Sequence, residues 1–299
     1  MSAEVSPKTT EASKGILYGV AAYGTWGIVA IYFKILRGVA PLEILAHRIV
    51  WSVVMLVVII TALRRWPSLM RIVKDARSAG LLVLSTLLVA SNWYVFIWAV
   101  THDRLVDASL GYFINPLVNV LLGFLFLRER LRRLEWVSVA IAATAVLWLA
   151  VDSGAFPWIS LTVAITFGLY GLVRKIVAVP AIEGLTIETA ILLPLACGYL
   201  LHRATSGTAT FGHVSGSLDL LLIASGPVTA VPLIWFAAAV QRLRLATLGL
   251  LQYISPTIQF AVAVAMYHEP FGRARFIAFL LIWCAIATYS LANLSRRHA

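Results

Sequence analysis

The chain has 299 residues, of which 61 % are hydrophobic and only 12 % charged, with a mean hydropathy of +0.91; a soluble chain carries about 25 % charged residues. Too little polar surface remains to cover a globule, which excludes a soluble catalytic or nucleic-acid-binding domain: the length suffices for about ten membrane spans of roughly 20 residues and short connections. The net charge of +11 is distributed between apolar runs, so it reads as membrane topology and not as a nucleic-acid-binding surface; the expected partners are membrane lipid and a small solute, with no nucleic acid.

In chain order, a polar tail over 1–14 precedes spans predicted at 15–36, 41–63, 79–100, 105–127, 133–151, 158–179, 184–203, 218–240, 245–267 and 273–294. All are expected to be α-helical, because Leu, Val, Ile and Ala runs of this length lack the alternation of strands. The first stretch, Gly15–Lys34, is too long for a signal-peptide core and is followed by another span, so it is read as retained. Cys197 and Cys284 lie in apolar runs without neighbouring Cys or His ligands and read as small core residues. The spans carry no His-x3-His, no Glu-x-x-His and no paired Asp. No metal, cofactor or catalytic residue is therefore expected, and the chain does not read as an enzyme.

With ten spans both termini share a side. One orientation gathers 17 of the 24 Lys and Arg on that side, among them Arg64, Arg65, Arg71, Lys74, Arg128, Arg130, Arg174 and Lys175. The opposite side keeps Arg37, Arg104, Arg203, Arg273 and Arg275, and Lys34 and Arg48 fall inside spans. The positive-inside rule places both termini in the cytoplasm.

Self-comparison at an offset of 140 residues aligns Phe96 with Phe236, Arg104 with Arg244, Leu105 with Leu245, Pro116 with Pro256, Glu129 with Glu269 and Arg133 with Arg273. Upstream, an offset of 144 pairs Tyr23-Gly24-Thr25-Trp26-Gly27 with Phe167-Gly168-Leu169-Tyr170-Gly171. The chain thus reads as two five-helix halves, 15–151 and 152–299, and because five is odd the halves cross the membrane in opposite senses, an inverted-topology repeat.

The aromatic-Gly-x-Trp-Gly of the first helix, the Pro-Leu-Glu-Ile-Leu-Ala-His-Arg run of Pro41–Arg48, and the repeated Pro-x12-Glu reaching Leu-Arg-Glu-Arg-Leu at Leu127–Leu131 resemble the EamA-type transporters of the drug/metabolite transporter superfamily. Within it, the Tyr-x2-Trp-Gly start, His47-Arg48 with Trp51-Ser52, and Asn92-Trp93-Tyr94 are similar to the bacterial RarD subgroup, named for chloramphenicol sensitivity. The resemblance implies ten helices, a location in the bacterial inner membrane, and export or facilitated passage of small metabolites. One departure is visible: His268-Glu269-Pro270 stands where the first half has Arg128-Glu129-Arg130.

Pro116 and Pro256 fall near the centres of spans 4 and 9, where a missing N–H kinks a helix; kinks at repeat-related positions mark a midplane cavity. Tyr112, Asn115 and Asn119 form one stripe on span 4, and Gln252, Ser255 and Gln259 the same stripe on span 9. Two readings stand for them, pathway lining or interhelical adhesion. Tyr23 and Trp26 on span 1, with Asn92, Trp98, Tyr170, Trp235 and Tyr253, are further candidates for walling a pocket for aromatic, amphipathic or amino-acid-like solutes, against simple core packing.

Span 2 carries Glu43, His47 and Trp51 one turn apart, with Arg48 beside them. Ionisable groups inside a span are costly and point to function. Arg48 can pair with Glu43 or clamp a substrate carboxylate, and His47 is a candidate proton-sensitive switch or a neutral hydrogen-bonded side chain. Glu43 with nearby Lys34, and its counterpart at offset 145, Glu188, with Arg174 and Lys175, are expected to form outer and inner gates that close alternately, or else to be ordinary helix-end charges. The leading functional class is a secondary transporter working by alternating access, probed against a non-transporting sensor or scaffold by solute flux in liposomes.

Overall fold

The structure is a computed structural model and describes residues 7–127, 133–152, 156–177, 179–243 and 251–294. Glu129, Arg244 and Leu245, on which part of the repeat alignment rests, lie outside these residues, as do Arg128 and Arg130.

Helices α1 (Pro7–Ile35), α2 (Pro41–Ala62), α3 (Trp66–Lys74), α4 (Ala76–Thr101), α5 (Leu105–Leu127) and α6 (Arg133–Asp152) are followed by α7 (Trp158–Val177), α8 (Ala181–Thr205), α9 (Gly216–Arg242), α10 (Ile254–Ala261) and α11 (Arg273–Leu294). Local chemistry sets several ends. Pro41 occupies the first turn of α2, where its missing N–H costs nothing. Asp75 caps α4 by accepting from the Ser78 backbone N–H at 3.1 Å and its hydroxyl at 2.5 Å, bonds that hold this exposed carboxyl below the usual carboxylate range. Ser215 caps α9 by accepting from Leu218 N at 3.2 Å. The polar tail from Pro7 onward forms the first turns of α1, where Glu11 meets Lys14 at 2.8 Å and Arg242 at 3.0 Å.

Eight of the described helices are long and apolar enough to cross a membrane, and a shorter apolar stretch runs over Ile254–Met266. Their outward faces are hydrophobic: Leu17, Val58, Leu87, Leu147 and Leu195 are each more than half exposed, a surface that only lipid can cover. Cys197 and Cys284 are also exposed, and are not core residues.

Two sequence expectations need correction. Span 9, expected as one helix over 245–267, is broken among the described residues: helix at Leu251 and Gln252 gives way to a turn at Tyr253, then α10, then a π-helical turn over Val262–Met266. Pro256 accounts for the break, since it cannot donate to the carbonyl four residues back, at Gln252, and its ring crowds that carbonyl. Pro116, in contrast, sits within the continuous helix α5. The second correction is α3, where a bare connection was expected. Leu69 and Ile72 pack it against Ile60, Leu82 and Ile187, while Trp66, Met70 and Val73 are exposed.

The helices interleave across the chain. α1 packs on α9 and α10, α4 and α5 pack on α7, α2 packs on α8 and α9, and α6 packs on α11. α2 and α9 approach closely: a Cβ on Gly226 would lie 2.4 Å from the backbone carbonyl carbon of Trp51. Gly226→Ala must therefore push the two backbones apart, and is expected to lower stability in detergent by about 1–3 kcal/mol. Gly198→Ala, with nothing within 4 Å of its added carbon, leaves thermal unfolding unchanged or raises its midpoint. Equal midpoints for Gly226→Ala and the wild type would contradict this close contact.

Candidate functional site

A cavity of about 70 Å³ opens among the helices. Its wall is built from the middles of helices: Tyr23, Trp26 and Phe33 from α1, Asn92, Trp93 and Phe96 from α4, Tyr112 from α5, Phe167 and Tyr170 from α7, Thr229 from α9, and Gln252, Ser255, Pro256 and Gln259 around the break before α10. The rings meet edge to face, Tyr23 with Trp26 at 5.5 Å, Phe96 with Tyr112 at 5.8 Å and Tyr112 with Phe167 at 5.9 Å between centroids. Such contacts fix ring orientation and leave a rigid, amphipathic surface.

Among the described residues one cation, Arg48, faces this space. Arg48, 6 % exposed, donates from Nε to Thr229 Oγ1 at 2.5 Å, and its guanidinium carbon lies 4.2 Å from the centre of the Trp93 ring and 5.6 Å from that of Phe33. Of the two alternatives open to Arg48, pairing with Glu43 or clamping a substrate carboxylate, the first is not found. Among the described residues no carboxylate lies within ion-pair distance of Arg48, so its charge is held by one hydroxyl and two ring faces. A desolvated cation–π contact contributes about 2 kcal/mol, far less than a bare ion loses on leaving water.

The two polar stripes of spans 4 and 9 do face each other. Gln252 Nε2 donates to Asn115 Oδ1 at 2.7 Å, Asn119 Nδ2 donates to the same oxygen at 3.1 Å, and Asn115 Nδ2 donates to the Ala164 carbonyl at 2.9 Å. Gln259 donates to the Trp26 carbonyl at 3.1 Å. Asn92 donates to Val163 O at 3.0 Å and accepts from the Tyr112 hydroxyl at 3.0 Å. Of the sequence candidates, Tyr23, Trp26, Arg48, Asn92, Tyr112, Tyr170, Gln252 and Gln259 reach the wall. His47, Trp98, Asn115, Asn119, Trp235 and Tyr253 do not. Trp98 stacks on His102 at 4.4 Å and meets Trp158 at 5.3 Å, towards the end of α4. His47 lies against Phe211 at 4.9 Å, and neither ring nitrogen has a hydrogen-bond partner among the described residues.

The gate expectations divide. Arg174 and Glu188 do come together, with Nη1 3.6 Å from Oε1; Lys175 is exposed. Lys34 and Glu43 do not pair with each other. Lys34 binds Asp103 and, at 3.2 Å, the Val100 carbonyl at the C-terminal end of α4, where the helix dipole attracts a cation. Glu43, fully buried, instead accepts from Arg203 Nη2 at 3.0 Å and from the backbone N–H and hydroxyl of Thr210 at 2.7 and 3.0 Å. Glu183, 2 % exposed, is matched by Arg65 at 3.4 Å. Counted from the helix starts at Pro41 and Ala181, Glu183 stands at the same step of α8 as Glu43 does of α2, and Glu188 at the same step as Arg48.

Sequence reasoning passed over Phe33, Trp93 and Thr229, although Phe33 follows Trp26 by two helical turns and Trp93 adjoins Asn92. It also passed over Glu269 as a structural group: its carboxylate accepts from Leu105 N and Val106 N, both at 3.0 Å, and so caps α5. Burial pushes that carboxyl above the usual range, against the pull of the two N–H donors. Glu43→Ala is expected to release the turn after α8. A cysteine placed at Thr208 then reacts several-fold faster with a water-soluble maleimide than in the otherwise wild-type chain, and an unchanged rate would show that Glu43 does not hold it.

Comparison with known proteins agrees with this architecture. Residues 13–151 match the EamA-like transporter family. An uncharacterized transporter of Vibrio cholerae serotype O1 is 46 % identical over 295 residues, covering 99 % of this chain and 98 % of its own. Protein RarD of Escherichia coli K12 is 46 % identical over 276 residues, 92 % of this chain and 93 % of its own. A crystal structure at 21 % identity superposes with a TM-score of 0.61 over 94 % of this chain and 98 % of that one, a likeness of fold alone. With its relatives transporters and the likeness running nearly end to end, the chain belongs to the EamA-like transporter family and is a multi-pass membrane transporter of the RarD type.

Proposed function

We propose that the chain exports a small organic solute with an apolar or aromatic body and an anionic group, zwitterionic amino-acid-like compounds included, by alternating access between two inverted five-helix halves, 15–151 and 152–299. The single observation that carries the substrate class is the buried Arg48 guanidinium, without a protein carboxylate beside it and with aromatic faces around it. A planar guanidinium takes a carboxylate through two parallel hydrogen bonds, and the rings supply the apolar area for the remainder of the molecule.

The inverted repeat is supported by the way the helices pair. Exchanging first-half spans for their second-half counterparts turns the α1–α9 contact into the α7–α4 contact, and α5–α7 into α10–α1, and both members of each pair occur. The ion pairs Glu43–Arg203 and Glu183–Arg65 obey the same exchange: each joins a first-turn Glu of α2 or α8 to an Arg at the end of the other. Kinship of this kind lets one sequence adopt two related conformations open to opposite sides. The excess of Lys and Arg at the end shared by Arg65, Arg71, Lys74 and Arg174 supports cytoplasmic termini, and the bacterial relatives support the inner membrane.

Purified chain is screened by thermal shift over amino acids, aromatic carboxylates and chloramphenicol, and the compounds that shift it are followed by flux in liposomes. Arg48→Ala, inserted normally, is expected to lose binding of an anionic solute by about ten- to a hundredfold, the equivalent of about 1.5–3 kcal/mol for charge-assisted hydrogen bonds. Wild-type flux in Arg48→Ala would remove Arg48 from the site.

A further inference from the structure

A second charge lies just behind the cavity wall, at the same step of α8 as Arg48 of α2. Glu188 is 1 % exposed. Its Oε1 accepts from Ser85 Oγ at 2.6 Å, and its Oε2 accepts from the Tyr170 hydroxyl at 3.3 Å, whose ring is part of the wall. Arg174 Nη1 stands 3.6 Å from Oε1, too far for a hydrogen bond, and has no hydrogen-bond partner among the described residues. The guanidinium lies over Gly184, where a Cβ would come 1.9 Å from Nη1 and displace it. The ion pair is therefore in contact but not locked.

We propose that Glu188 is the proton carrier of the transport cycle, exchanging its proton with the cavity through the Tyr170 hydroxyl and alternating between that proton and Arg174 as its partner. The proposal rests on the transport reading above. In the loading step the Tyr170 oxygen takes a proton from a hydronium ion in the cavity, leaving water, while its own proton passes to Oε2. The carboxylate becomes a neutral acid, the attraction for Arg174 ends, and the guanidinium is free to turn towards water at the end of the bundle. In the unloading step the acid gives its proton to that water and Arg174 returns. One proton moves per cycle, and no other reactant is consumed.

The other charges nearby are already engaged. Glu183, on the same helix, is held by Arg65 from the turn after α2, and Lys175 of α7 is exposed. On α2, Glu43 is bound by Arg203 and Arg48 by Thr229; on α9, Asp219 accepts from Gly212 N; Ser85 is the group α4 contributes. The Tyr170 hydroxyl, on a side chain of the wall, joins Glu188 to the cavity.

The test is infrared difference spectroscopy of the full chain in liposomes between about pH 8 and about pH 5, paired with pyranine-reported proton flux and phenylpyruvate or phenylalanine as probe solutes. The expected result is a buried protonated-carboxyl band that is lost in Glu188→Gln and kept in Glu183→Gln. Tyr170→Phe, which leaves the carboxylate in place, keeps the band but slows its appearance several-fold. An imposed pH gradient accelerates probe flux several-fold in the wild type and not in Glu188→Gln. An identical band in wild type and Glu188→Gln, or probe flux indifferent to the gradient, overturns the proposal while leaving transport intact. A band that maps to Glu188 in a chain that moves neither probe upholds the proton site and counts against the substrate class instead.

Discussion

Hydrocarbon offers no partner to a charge, and this protein nevertheless buries a guanidinium inside a membrane-spanning helix, two turns from its start. Arg48 is tolerable there because the bundle leaves a cavity at that depth and lines it with groups a cation can use: the Thr229 hydroxyl and the faces of Trp93 and Phe33. Those groups come from α9, α4 and α1, so the arginine ties the arrangement of several helices to one point. The break before α10 belongs to the same design. Pro256 interrupts the helix where Gln252, Ser255 and Gln259 face the cavity, and irregular backbone at membrane depth is tolerated where it lines such a space.

Towards the ends of the helices, charge is satisfied inside the protein. Glu43 gathers Arg203 and Thr210, Glu183 takes Arg65, Lys34 takes Asp103 and a carbonyl at the end of α4, and Glu269 caps α5. These bonds join elements distant in sequence, and several cross between the halves of the chain. They tie the ends of the bundle together around the cavity.

Much of this was legible before any coordinates. The spans followed from apolar length, and the central wall from ionisable and aromatic residues placed where lipid forbids them: Arg48, Tyr23, Trp26, Asn92 and Tyr112 stand out because little else excuses them. Partners were harder. Lys34 and Glu43 are neighbours in sequence, yet each is captured by a group more than sixty positions away, a choice made by helix packing that no local pattern records. An offset of 145 pairs Glu43 with Glu188 by residue type; counted from the helix starts at Pro41 and Ala181, Glu43 stands level with Glu183 and Arg48 with Glu188. The short helix α3 escaped notice because its apolar residues are divided between a face on the protein and an exposed face, and Asn115 and Asn119 were grouped with Tyr112 although they stand behind the wall, Asn115 holding Gln252 and the Ala164 carbonyl and Asn119 bonding Asn115 of its own helix.

The central claim is that the cavity selects an anionic group through Arg48. Calorimetric titration of the purified wild-type chain with an aromatic carboxylate and with its uncharged primary amide, matched in size and shape, tests it most directly. The account predicts at least about tenfold tighter binding of the carboxylate, the factor equivalent to 1.4 kcal/mol; equal affinities, or preference for the amide, would contradict it.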